Sequence, residues 1–168
     1  MMLEPIIDSL LAFLVMVFRY EVGTIEFYIA VSCTAVGLLV VARLLAGLLG
    51  SSKGILAAML AVALPLLLGT VGYVAVELYA LPQIEADWAA SYLPWSVFGV
   101  VAVLVALFAS SKFWDIGRGA AVVVLVVAGL SGMAAQYVGQ LVIDVVDTGS
   151  QQVEKRDDGL RREIERAN

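Results

Sequence analysis

The chain has 168 residues, a formal charge of −5, and a composition that is 62% hydrophobic and 15% charged, against roughly 45–50% and 25% in soluble domains. It has no histidine and one cysteine, Cys33. That excludes bis-histidine haem, the usual zinc sites, histidine general-base chemistry and a disulfide framework. No basic patch stands without matching acids, so no nucleic-acid partner is expected, and no residue pattern implies a cofactor.

Residues 1–20 read MMLEPIIDSLLAFLVMVFRY. Glu4 and Asp8 stand where a secretory leader would carry basic residues, and Pro5 suits the first turn of a helix. Asp8, Ala12, Val15 and Arg19 share one side of that helix, opposite Ile7, Leu10, Leu11, Leu14 and Phe18. The segment is expected to lie at the membrane surface as an interfacial helix, or to form a short fifth crossing.

Apolar runs over 27–42, 54–76, 93–111 and 119–143 follow. They predict crossings at about 25–49, 55–79, 94–109 and 119–146, each near the ~20 residues a bilayer requires. Arg43 in the first can snorkel to the headgroups. Pro65 in the second predicts a kink and a carbonyl near Ala61 without its usual partner. Residues 81–95 are expected to be the longest extramembrane loop, bordered by Tyr79, Trp88, Tyr92 and Trp95. Trp88, Trp95 and Trp114, with Arg43, are the expected membrane-interface anchors. Ser51-Ser52-Lys53 is echoed by Ser110-Ser111-Lys112, as two duplicated helical hairpins would require. Basic turns at 43–53 and 112–118 favour a cytoplasmic placement of both.

The fourth run carries the most polar face. Gly132, Gln136, Gln140 and Asp144 recur every four residues, and Ser131, Ala135 and Gly139 form an adjoining ridge of small side chains. An amide cannot face hydrocarbon without cost. This face is expected to pack inward or against another subunit, or alternatively to line a path for an ion or solute. Glu77 is a further candidate, read either as an interface-solvated carboxylate or as a group facing the bundle interior. Asp144 and Asp147 together offer too few oxygens for a good cation site. Thr148-Gly149-Ser150 is expected to break the helix ahead of a tail whose charges pair at helical spacing.

The fold class that follows is all-α: a polytopic membrane helical bundle of four transmembrane helices. The expected divisions are 1–20, the bundle at 21–147, and a charged extramembrane tail at 148–168 ending in a short helix. With no nucleophile elbow, HExxH or P-loop pattern, no enzyme is expected. The expected role is a non-catalytic structural or assembly subunit of the cell membrane or a virion's internal membrane. It would pack with itself or with other membrane proteins in a larger complex, such as a secretion or pilus apparatus. The alternative is a small oligomeric transporter or channel.

Overall fold

The computed structural model describes the backbone of residues 3–84 and 86–167, and the side chains of 4–84, 86 and 88–146. Helix accounts for 88% of it, with no strand among the described residues. In chain order, α1 is Leu3–Phe18, α2 Ile25–Leu48, α3 Ile55–Ala75, α4 Asp87–Val105, α5 Ser111–Trp114 and α6 Arg118–Ala167. A π-turn, Val76–Ala80, and a 3-10 turn, Leu81–Gln83, extend α3, while a second π-turn, Ala106–Ser110, joins α4 to α5. Four of the resulting helical segments are long and apolar enough to cross a membrane. The chain is a membrane-type helical bundle.

The spans form two antiparallel pairs, and neither pair is built as the duplicated hairpins would be. α2 packs along α6, and α3 along α4, whereas α2 and α3 touch far less. Small residues decide this. A Cβ placed on Gly37 of α2 would lie 2.6 Å from Ala135 Cβ, so only a glycine admits α6 at that distance. On α3, a Cβ at Gly69 would lie 3.0 Å from the Phe98 ring and 3.2 Å from its carbonyl. The two serine–lysine triplets are not equivalent either. Ser51-Ser52-Lys53 lies in the α2–α3 turn, while Ser110-Ser111-Lys112 is still inside the α4–α5 helix. Identical triplets thus do different jobs.

At the Lys53 end the two pairs meet directly. Ala42, Ala46, Ala61, Ala121, Val124 and Ala128 are fully buried there around Trp114. Both chain reversals at this end use a residue in the left-handed region. After α2, Gly50 (φ 93) closes the helix with bonds from Gly50 N to Gly47 O (3.1 Å) and Ser51 N to Ala46 O (2.8 Å), a Schellman arrangement. After α5, Asp115 (φ 58) takes the corresponding place, with Ile116 N bonded to Ser111 O at 3.1 Å. Lys53 Nζ and Asp115 Oδ2 then join the two turns across 3.7 Å, both side chains being exposed.

Pro65 is buried inside α3 and offers no N–H to Ala61. The orphaned carbonyl is met across the bundle: Ser110 Oγ, fully buried, donates to Ala61 O at 2.7 Å. Ser110 ends the π-turn of α4, and the extra residue of such a turn re-aims the side chains that follow it.

Two expectations change. The 81–95 loop shrinks, because α3 continues through its π-turn and α4 begins at Asp87. Pro94 sits buried within α4 without ending it. The backbone of α6 runs through Thr148-Gly149-Ser150 without a break to Ala167, 50 residues in all. One Gly costs only ~1 kcal/mol in a helix. α1, finally, runs antiparallel to the last turns of α3, with Ser9 beside Glu77 and Phe13 against Tyr73.

The Ser110–Ala61 bond yields a test. Ser110→Ala leaves a buried carbonyl unmet and is expected to lower stability by about 1–2 kcal/mol. Pro65→Ala restores the N–H, so Ser110→Ala should cost little in that background. Unfolding titrations of the four variants in detergent measure the coupling, and additive losses would refute it.

Candidate functional site

The polar face of α6 divides into two parts with different neighbours. The small ridge packs on α2 of the same chain. Ser131 and Ala135 border Gly37, and Gly139 lies against Cys33, whose Sγ is 3.1 Å from where a Cβ would be. Gly132 meets Leu38 and Thr34, with Leu38 Cγ 2.7 Å from its virtual Cβ. Ser131 satisfies its hydroxyl locally, donating to Val127 O at 2.9 Å. The ridge, expected to pack inward or against another subunit, lies against α2 of its own chain. The matching signal on α2, Cys33 and Gly37 one turn apart, is faint in sequence because two small residues in a long apolar run are unremarkable alone.

Gln136 turns the other way. Its Nε2 donates to the carbonyl of Val17, in the last turn of α1, at 2.9 Å. Helix ends leave carbonyls unmet, and inside a bundle a side-chain amide is a suitable donor for one. Gln140, one turn further along, is half-buried and makes no side-chain bond to the described residues. Asp144 is exposed and engages a neighbour of its own; the side chain of Asp147 lies outside the described residues.

Glu77 belongs to the same construction. It stands in the π-turn after α3, half-buried, and accepts a hydrogen bond from the buried hydroxyl of Ser9 on α1. Sequence reasoning missed Ser9 as a site residue; its signal was its position one turn before Phe13, on the face of α1 that turns inward. Between these two polar contacts, Phe13 packs into Tyr73 (ring centroids 4.8 Å apart), Trp95 (5.8 Å) and Phe98 (6.2 Å). Tyr73 Oη in turn lies 3.8 Å from Met16 Sδ.

The expected anchors separate as well. Trp88 is 65% exposed and Trp95 40%, both at the Glu77 end. Arg43 lays its guanidinium over Gly47, Nη1 being 3.2 Å from a virtual Cβ there, so it reaches toward the end of α2 as a snorkelling side chain does. Trp114 is corrected: it is 1% exposed, with its indole N–H buried among the alanines. Its polar flanks, Lys112 and Asp115, suggested a surface; the αL turn at Asp115 instead folds the ring inward.

No group of three or more His, Cys, Asp or Glu side chains among the described residues could hold a metal ion. No family model, curated protein or solved structure matches this chain. What the arrangement does chemically is close backbone and side-chain hydrogen bonds away from water.

The α2–α6 contact is directly testable. Gly37→Ala must displace α6 and is expected to cost about 2 kcal/mol or more, as overpacking does. Gly129→Ala, in α6 itself but facing open space, should be neutral or stabilising by about 0.5–1 kcal/mol. Equal effects in detergent unfolding would refute this packing.

Proposed function

We propose that the protein is a non-catalytic integral membrane subunit of a larger assembly, a compact helical platform that carries a rigid charged helix clear of the bilayer. One observation carries the reading. α6 is a single helix of 50 residues, about 75 Å long, where a bilayer core of ~30 Å needs ~20 residues. Roughly 30 Å of it extends past Val146. In that extension, Asp157 and Arg161, Asp158 and Arg162, and Arg161 and Glu165 stand four apart in sequence, a spacing that supports a solvated helix. A charged helix of about 20 residues is only marginally stable on its own in water, which suits a role in gripping another chain.

The polar groups at membrane depth support the same reading over transport. Gln136 is used by α1, Glu77 by Ser9 and Ser110 by Ala61; of the described α6 amides only Gln140 has nothing to hold. Exposed side chains such as Val123, Val126, Leu130 and Met133 give α6 the lipid-compatible outer face of a span. Charge supports an orientation. Arg43, Lys53, Lys112 and Arg118 collect at the Lys53 end with Asp115, while Glu4, Asp8, Glu26, Glu77 and Asp144 collect toward the other. By the loop-charge rule the Lys53 end is cytoplasmic, and the α6 extension is on the opposite side.

The test compares the whole chain with one ending at Val146, by mass measurement in mild detergent. The whole chain is expected in a species larger than a monomer, and the shortened one to stay helical but lose it. A whole chain that is monomeric, or flux in liposomes that Gln140→Leu abolishes, would overturn the proposal.

A further inference from the structure

We infer that α1 is a re-entrant half-helix that acts as a releasable closure, filling the cleft between the α2/α6 and α3/α4 pairs at the Glu77 end. The inference goes beyond the assembly role and does not depend on it.

Three fixed points define its path. Ser9 bonds Glu77, near the end of the third helical segment. Phe13 sits one turn deeper, on Tyr73 and Trp95. The Val17 carbonyl is held by Gln136. Gln136 adjoins Ala135, which faces Gly37, and Gly37 is at the middle of α2. The tip of α1 therefore reaches toward the mid-plane of the bundle. From there the chain returns to the end it came from, because α2 starts at Ile25, at the Glu77 end, and the Phe18 and Phe27 rings, centroids 5.5 Å apart, hold the two helices together along the way. Outward, α1 shows exposed Ile7, Leu11 and Met16, suited to lipid, with Glu4 and Asp8 toward the water end.

Its attachment is light. α1 touches its neighbours far less than α2 touches α6; beside the Ser9 and Val17 contacts it is held by Phe13, by Met16 against Tyr73, by Phe18 against Phe27 and by the packing of Ile6, Leu10 and Leu14. The segment behind it is built to bend. Arg19 occupies the left-handed region (φ 63) and Gly23 does too (φ 101), while Thr24 donates to Glu21 O and caps α2 by accepting from Phe27 N. A non-glycine residue held in that region is strained. Unseating α1 frees the Glu77 carboxylate and the Gln136 amide together, and both are groups that draw water inward. The cleft thus opens to Gln136 from one side only.

Two measurements in liposomes test this, both in a Cys33→Ser background. For the path, Asp8→Cys and Val22→Cys should both be labelled by an impermeant maleimide from the same side, and the Val17→Cys/Gln136→Cys pair should be joined by a short thiol-reactive cross-linker, since a side-chain-to-backbone contact leaves the two Cβ atoms too far apart for a direct disulfide. Labelling from opposite sides would make α1 a full crossing, and a missing cross-link would make it interfacial; each overturns the inference. For release, Ser9→Cys is buried while α1 is seated, so its labelling rate follows the unseated population. Gln136→Leu should raise that rate about threefold, the size of one hydrogen bond between membrane helices, and Phe13→Ala more steeply. Gly129→Ala should leave it unchanged. If neither Gln136→Leu nor Phe13→Ala alters the rate in folded protein, α1 is a fixed part of the core and the closure does not exist.

Discussion

A backbone carbonyl set free inside an apolar bundle must find a donor, and two such carbonyls shape this molecule. Bulk water does not reach that depth, and an unmet group there costs several kcal/mol. Pro65 frees the Ala61 carbonyl by having no N–H, and Ser110 returns a donor from the end of the α4 π-turn. The end of α1 frees the Val17 carbonyl, and Gln136 meets it from α6. Each bond is worth about 1 kcal/mol net, yet each arrangement without it would be far worse. The penalty for the alternatives, rather than the strength of the bond, selects the geometry. In α4 that selection extends to the backbone, because Ser110 sits at the close of a π-turn.

With those positions set, side-chain size does the rest. At the Lys53 end the facing residues are alanines, so the pairs close on one another around Trp114. Toward the Glu77 end the facing residues grow to Tyr73, Trp95 and Phe98, with Phe13 entering between them. A bundle with alanines at one end and aromatics at the other cannot hold its helices equally close along their length. The wider end needs an added element, and α1, too short to span, is of a size to supply it. Glycine works along the pair axis instead, holding α2 to α6 and α3 to α4 at backbone distance.

Much of this was legible from composition and spacing. The four spans follow from length and hydropathy alone, and Pro65 by itself announces a freed carbonyl at Ala61. The small ridge at Ser131, Ala135 and Gly139 was visible too. Its partner was not, because spacing reports how closely a face can be approached and not which helix approaches it. The docking of α1 was hidden for a similar reason: sixteen amphipathic residues do not say what they pack on, and the contacts of Ser9, Phe13 and the Val17 carbonyl do. Residues 81–95 resembled a loop, yet a proline inside a helix removes one backbone hydrogen bond without having to end it. Trp114 resembled an anchor because sequence neighbours are not spatial neighbours across an αL turn.

Glu77 and Gln136 show why a polar residue inside a span does not by itself mean a pathway. Each is far more costly exposed to lipid than bonded to protein, so each demands a partner, and the nearest one satisfies it as well as a solute would. Here both partners are on α1, an element lightly held by its neighbours. Such an arrangement couples the two groups through one helix: neither can be fully hydrated while α1 is seated, and both become so when it leaves. Gln140, with no bond to α1 to break, gains nothing from that movement. The conformational state of α1, and not the polarity of α6 taken alone, therefore governs whether this end of the bundle is dry.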